Sequence, residues 1–179
     1  MKALTLITSN AGKAKEFELL LGVTVHHQKV ELPEVQATAV AKVAKAKAEA
    51  AYQALQKPVL VDDTGLYINA WGELPGALIA WFLDNIGNEG ILKMLEGWGD
   101  RSARVMTALG YCDENGSQVF IGELAGSIAK VARGKNGFGY DSIFIPEGQP
   151  KTFAEMTSQE KNAISMRAQA AHYFREAIL

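Results

Sequence analysis

Val59–Leu66 reads VLVDDTGL. Three apolar residues have the character of a buried strand, and they run straight into two adjacent carboxylates, Asp62 and Asp63. Side chains alternate along a strand, so neighbouring aspartates point to opposite faces of the sheet. A carboxylate carried into a protein interior costs free energy unless it is paired or coordinates a metal. The question is what needs two of them at the end of one strand.

Three readings of the pair stand side by side. Asp-Thr-Gly is good turn chemistry, with Thr64-Gly65 turning the chain. Adjacent carboxylates also suit a divalent-metal site, because hard cations such as magnesium choose carboxylate oxygens. The third is an aspartyl nucleophile like that of haloacid-dehalogenase-like phosphatases, which also follows a buried strand. That family spaces its aspartates as Asp-x-Asp, whereas these are adjacent.

Working outward, Ala3–Thr8 (ALTLIT) predicts a buried strand followed by a helix with Ala14, Phe17 and Leu21 on one face and Gly22 as its stop. A second strand is expected over Val23–Val30 and a long alanine-rich helix over Thr38–Leu55. After the strand Val59–Asp62 and its turn, Leu66–Ala70 continues extended. LPGA then breaks the chain before two helices, Leu78–Ile86 and Glu89–Leu95. Ser102–Cys112 and Gln118–Leu124 alternate as strands around DENG (Asp113–Gly116), a hairpin signal. Further strands are expected at Ile128–Ala132 and Ile143–Ile145, with helix from Thr157 onward. This mixed order predicts α/β or α+β structure around a central mixed sheet, with the middle hairpins forming a second lobe beside a cleft.

The chain has 179 residues, 48% of them hydrophobic, which suits one domain with a sizeable core. Lys plus Arg number 18 and Asp plus Glu 20, so the chain lacks the basic excess of a general nucleic-acid binder. Cys112 is the only cysteine, which excludes an internal disulfide and a cysteine-rich zinc site and fits a reducing cytosol. The opening apolar run is too short for a secretory signal, and no later stretch has the length to span a membrane. A soluble cytoplasmic protein is expected.

Four more segments carry candidate chemistry. Thr8–Lys13 (TSNAGK) sits where a strand turns into a helix, where backbone N–H groups and a lysine favour phosphate. It lacks the Walker A spacing, and it reads equally as a helix capped by Ser9 or Asn10 with a solvated lysine. Lys47 falls in the middle of the stripe formed by Val40, Val43, Ala44, Ala51 and Ala54, so it either snorkels outward or meets an anion. Gly134–Phe144 (GKNGFGYDSIF) surrounds two aromatics with glycines that let backbone approach a ligand. Phe138 or Tyr140 could stack on a base or plug a tight loop. Lys161–Ala170 (KNAISMRAQA) offers Lys161, Ser165 and Arg167, either as a solvated charged helix or, if Ser165 starts a new helix, as groups meeting one ligand.

Taken in order, the Thr-x-Asn-x-x-Lys loop, Asp-Asp-Thr-Gly, Phe-Gly-Tyr-Asp, TFAEM and Lys-Asn-Ala-x-Ser-x-Arg resemble the inosine triphosphate pyrophosphatase family, the non-canonical purine NTP pyrophosphatases. The resemblance covers nearly the whole chain. PVLVDDTGLYINA (58–70), LPGALIAWFL (74–83) and EKNAIS (160–165) look closest to its eukaryotic-type members. It implies a single two-lobed α/β domain over 1–179, commonly a homodimer, with the active site between lobes. It implies magnesium-dependent cleavage of inosine and xanthosine triphosphates to monophosphate and pyrophosphate, which clears the nucleotide pool.

Carried over, Thr8, Ser9, Asn10 and Lys13 bind the triphosphate, with Lys47 as a second cation. Asp63 holds magnesium and acts as general base, with Asp62 in support and Glu34 as the best match to the metal-binding glutamate. Phe138 covers the base, and Asp141 and Arg167 help to read it. The implied substrate contacts extend to Thr64, Gly139, Tyr140, Lys161, Ser165 and Met166. The chain departs from the family pattern in three places. Ser165-Met166-Arg167 stands for Ser-His-Arg, Ala80 replaces a basic residue, and Glu34 is one residue out of register with Lys47. A phosphatase or pyrophosphatase of altered base preference, and a nucleotide-binding relative with reduced activity, are the alternative functions.

Overall fold

The computed structural model describes residues 4–179. Its elements are β1 (Leu4–Ile7), α1 (Ala11–Leu21), β2 (Val25–Gln28), α2 (Val40–Leu55), β3 (Val59–Ile68), β4 (Pro75–Gly76), α3 (Ile79–Met94), β5 (Ser102–Asp113), β6 (Gly116–Ile128), β7 (Phe144–Pro146), α4 (Ser158–Ile164) and α5 (Met166–Ile178). Seven strands form one mixed sheet in the order β2-β1-β3-β5-β6-β7, with β4 beside β3. β1 runs parallel to β2 and β3, and all other pairings are antiparallel.

β3 sorts its side chains by parity. Val59, Val61 and Tyr67 pack with Val40 and Ala44 of α2 on one face of the sheet. Leu60 packs with Phe17 of α1 and Phe174 of α5 on the other. Asp62 continues the Leu60 side and Asp63 the Val61 side, so the two carboxylates enter different layers. Beyond them Leu66 and Ile68 join a third core with Tyr140, Phe144 and Phe153.

The same strand changes partners at the aspartates. β1 pairs with β3 at Leu6↔Leu60 and ends at Ile7, whereas β4 joins only at Leu66↔Gly76 and Tyr67↔Pro75. Asp62–Gly65 therefore have a ladder on one side only, with Leu109–Met106 of β5. The vacant side receives the loop after β1, at the carboxyl end of the parallel strands, where open α/β sheets bind ligands.

Two expectations are corrected. Thr64-Gly65 is not a turn: β3 runs through it, with Thr64 opposite Thr107 and Gly65 opposite Met106. Gly65 serves close packing instead, since a Cβ there would lie 2.8 Å from Val40 Cγ1 and 2.9 Å from the Gly76 backbone. Nor is Ile128–Ala132 a separate strand. The β5–β6 hairpin stays in register from Asp113↔Gly116 to Ser102↔Ser127, which lengthens β6 to Ile128. The two expected helices at 78–95 are the halves of α3, separated by Gly87 at φ 63°. Ala3, expected to begin the first strand, lies outside the described residues. No described helix is long and apolar enough to cross a membrane.

Candidate active site

The loop after β1 is organised by Asn10, which caps α1. Its Oδ1 accepts the N–H groups of Gly12 at 2.8 Å and Lys13 at 3.4 Å. The cap occupies two of the amides that a phosphate would use. Lys13 reaches from the first turn to Asp62, with Nζ 2.8 Å from Oδ2.

Asp62 is thoroughly ion-paired. Besides Lys13, Arg167 Nε and Nη2 approach its two oxygens at 3.4 and 3.3 Å, and Arg167 Nη1 lies 3.2 Å from both oxygens of Glu16. The Asp62 side chain is only 2% exposed. Burial works against its charge, but Arg167 and Lys13 outweigh burial and hold the pKa at about 2. Burial likewise opposes the guanidinium of Arg167, and Asp62 and Glu16 reverse that and raise its pKa.

Asp63 has the opposite balance. Its side chain is 12% exposed and Lys47 Nζ lies 3.2 Å from Oδ1. Oδ2 is buried with no hydrogen-bond partner. Burial pushes the carboxyl up; Lys47 opposes this, Asp62 and Glu34 add to it, and the pKa comes to about 6. The Lys47 ammonium also contacts Glu34, so one cation serves two carboxylates. Burial opposes the charge on Lys47, yet Glu34 and Asp63 raise its pKa. Two adjacent aspartates thus differ by several pKa units, a pattern that assigns acid–base partners distinct roles. Thr64 Oγ1 shares a hydrogen bond of 3.2 Å with Thr107.

Two cavities lie beside this network, the smaller bordered by Asp62 itself and the larger by its partners Lys13 and Arg167. The smaller, about 250 Å³, is lined by Thr8, Ser9, Lys29, Glu34, Lys47 and Asp62 among others. The larger, about 460 Å³, is bounded by Lys13, Glu16, Phe138, Phe153, Lys161 and Arg167 among others. In the larger cavity the Phe138 ring is 57% exposed, between Gly137 at φ 74° and Gly139 at φ 62°. The Lys161 ammonium lies 5.4 Å from the centre of that ring and 4.9 Å from that of Phe153. Lys161 also donates to Asp141 Oδ2 at 2.6 Å, and the same oxygen accepts the Phe138 N–H at 2.9 Å.

Residues 4–177 match the Ham1 family. The chain belongs to that family. A dITP/XTP pyrophosphatase of Methanopyrus kandleri is 43% identical to this Ham1 chain over 173 residues, 94% of this chain and 92% of that protein. An inosine triphosphate pyrophosphatase of Yarrowia lipolytica is 43% identical over 173 residues, 94% of this chain and 91% of the relative. The structure of the Staphylococcus aureus Ham1 protein superposes with a TM-score of 0.87 at 29% identity, covering 98% of this chain and 97% of that one.

Within the Ham1 fold the expected site residues divide into three groups. Thr8, Ser9, Glu34, Lys47 and Asp62 border the smaller cavity, with Asp63 tied to it through Lys47. Asn10, Lys13, Phe138, Lys161 and Arg167 border the larger one. Gly139, Tyr140, Asp141, Ser165 and Met166 lie outside both linings. Asp141 is turned onto Lys161 and the Phe138 amide, and Ser165 Oγ caps α5 by accepting the Ala168 N–H at 3.2 Å. Met166 is 3% exposed and packed in the core with Tyr140 and Phe153.

The helix break expected at Ser165 is present, and it sends Lys161 to Asp141 and Arg167 to Asp62 from separate helices. Glu16 was not singled out in the sequence, and Phe153 entered only within the TFAEM motif, without a role. Glu16 follows Lys13 by three residues, so both share a face of α1, and that spacing was the available signal.

Proposed function

We propose that the chain hydrolyses non-canonical purine nucleoside triphosphates (ITP, dITP and XTP) to monophosphate and pyrophosphate, removing them from the nucleotide pool. The names of its relatives support the reaction class. The observation that carries the reading is the contrast within one strand: Asp62 locked in its charged form, Asp63 with a pKa of about 6 and a free buried oxygen.

In this reading the purine occupies the larger cavity against Phe138, and the phosphates run past Thr8, Ser9 and Lys47 into the smaller one. Asp63 is ionised at neutral pH yet basic enough to take a proton from water, the condition for an efficient general base. The water oxygen bonds to the α-phosphorus as the bond to the bridging oxygen breaks, the proton passes to Asp63, and the pyrophosphate leaves with Lys13 and Lys47 balancing its charge. Lys47 exchanges its carboxylate partners for phosphate. Asp62 holds Lys13 and Arg167 in place. A keto oxygen at purine position 6 accepts from donors such as Arg167, Lys161 and backbone N–H groups. An adenine amino group leaves those donors unpaired, a mismatch that discriminates strongly.

The residues suit magnesium. Asp63 Oδ2 is an unused buried acceptor, and Glu34 meets the same lysine as Asp63. Magnesium takes one or two carboxylates and otherwise water and phosphate, so it requires no larger cage of protein ligands. Asp63 and Glu34 would hold the magnesium, which would relieve carboxylate–phosphate repulsion and offset charge developing at phosphorus.

We further propose that residues 1–179 act as one two-lobed cytoplasmic unit that pairs as a homodimer. The continuous sheet supports a single unit. The deciding assay is product identity: inosine triphosphate with magnesium should give inosine monophosphate and pyrophosphate, with ATP a poor substrate. Orthophosphate as product, or preference for ATP, would overturn the reading.

A further inference from the structure

α3 approaches the Phe138 loop through its interruption. Gly87 takes φ 63° and ψ −176° within the helix, a conformation open to glycine and strained for other residues. The next residue, Asn88, reaches 51 residues along the chain: its Nδ2 donates to the Gly139 carbonyl at 2.8 Å and to Ser142 Oγ at 3.0 Å. Leu83, one turn earlier on α3, also faces the loop, its Cδ1 3.6 Å from where a Cβ on Gly139 would lie.

The loop needs such support. Gly137 and Gly139, both at positive φ, flank Phe138, and glycine backbone is the most entropically expensive to hold in one conformation. One restraint lies behind the wall of the larger cavity, where Asp141 grips the Phe138 amide and Lys161 grips Asp141. A second holds the loop's start, where the Asn136 N–H donates to the Ala154 carbonyl and its Nδ2 to that of Met156. Beyond Phe138 the Ala154 N–H donates to the Asp141 carbonyl and the Arg133 N–H to the Ser142 carbonyl, while Asn88 supplies the side-chain hydrogen bond to Gly139, the residue next to Phe138.

We infer that Asn88 is a positioning residue for the base site. It fixes the Phe138 ring as a preformed platform for a planar purine, with α3 as the strut. Pre-organisation of this kind raises affinity by removing an ordering cost at the moment of binding. The inference rests on the larger cavity being the purine site. The Asn88 amide touches no substrate; it acts through Gly139.

The test is calorimetric titration of wild type, Asn88→Ala and Asn88→Asp with inosine monophosphate and, separately, with inorganic pyrophosphate, alongside thermal melting. Asp keeps the shape but removes the donor and sets a charge against the Gly139 carbonyl. Affinity for the monophosphate should fall about 10-fold in Asn88→Ala, the scale of one to two net hydrogen bonds, and further in Asn88→Asp. Pyrophosphate affinity should be unchanged, and in steady-state assays KM for inosine triphosphate should rise with kcat within about twofold. Unchanged monophosphate affinity in both variants overturns the inference alone. So does a parallel loss of both ligands and of melting temperature, which marks a general structural role. A wild type that binds pyrophosphate but no purine monophosphate overturns the functional reading itself.

Discussion

Replacing Asp63 by Asn should make the protein more stable at neutral pH while abolishing hydrolysis. Burial raises this carboxyl from its ordinary 3.8 to about 6, against the opposing pull of Lys47. A group that holds its proton more tightly in the folded state makes the native protein bind more protons than the unfolded chain between those two values. Stability therefore falls as pH rises from about 4 to about 6, and the full penalty is present above that. About two pKa units at 1.36 kcal/mol each set an upper bound of about 3 kcal/mol. Asn keeps an acceptor for Lys47 but removes the charge that steadies its ammonium, so about 1–2 kcal/mol should be recovered. For a chain of this length that is roughly 2–8 °C in melting temperature. The assay is thermal melting of both proteins in chelator from about pH 3.5 to 8, with pyrophosphate release measured in parallel. Activity should drop by at least the ~10²–10⁴-fold of a lost general base. The melting difference should close below about pH 4, where Asp63 is protonated in both states. If the variant melts lower than its parent at neutral pH, or if the difference is the same at every pH, the burial argument for Asp63 is wrong.

At limiting magnesium, kcat/KM for inosine triphosphate should climb tenfold per pH unit up to about 6 and then level, and added magnesium should move that limb to lower pH because metal and proton compete for one carboxylate; a flat profile from pH 4 to 8 would remove Asp63 as the base. Lys47→Ala should raise KM by about 10-fold or more and shift the acid limb upward. It should also lower the melting temperature despite alanine's better helix propensity, because Glu34 and Asp63 lose their shared cation. Arg167→Ala should cost about 3–5 kcal/mol in urea unfolding, since it leaves Asp62 and Glu16 buried or half-buried without their partner; a loss below about 1 kcal/mol would show that the network is not structural. Met166→Leu should leave kcat/KM for inosine triphosphate within about twofold, because this side chain lies in the core behind the cavity wall.

Features set by neighbouring residues were legible in the chain. The alternation of Val59, Leu60, Val61, Asp62 and Asp63 foretold that the two carboxylates face opposite layers, and they do. Asn10 as a cap, Gly22 as a stop at φ 69°, the Asp113–Gly116 hairpin and the break at Ser165 followed from local backbone chemistry. The stripe on α2 isolated Lys47 as a misplaced charge, though not its partners.

What the chain could not disclose depends on registers between distant segments. Gly65 looks like a turn residue beside its neighbours, and becomes a strand residue because Val40 and Gly76 press on it from elsewhere. Arg167 meets Asp62 and Glu16 across 105 and 151 residues, and Lys13 meets Asp62 across 49. These pairings decide which aspartate is ionised and which is poised. A carboxylate's pKa is set by how much water it has lost and which charges lie within a few ångströms, and both quantities exist only once α1, α5 and α2 have packed on their own faces of β3.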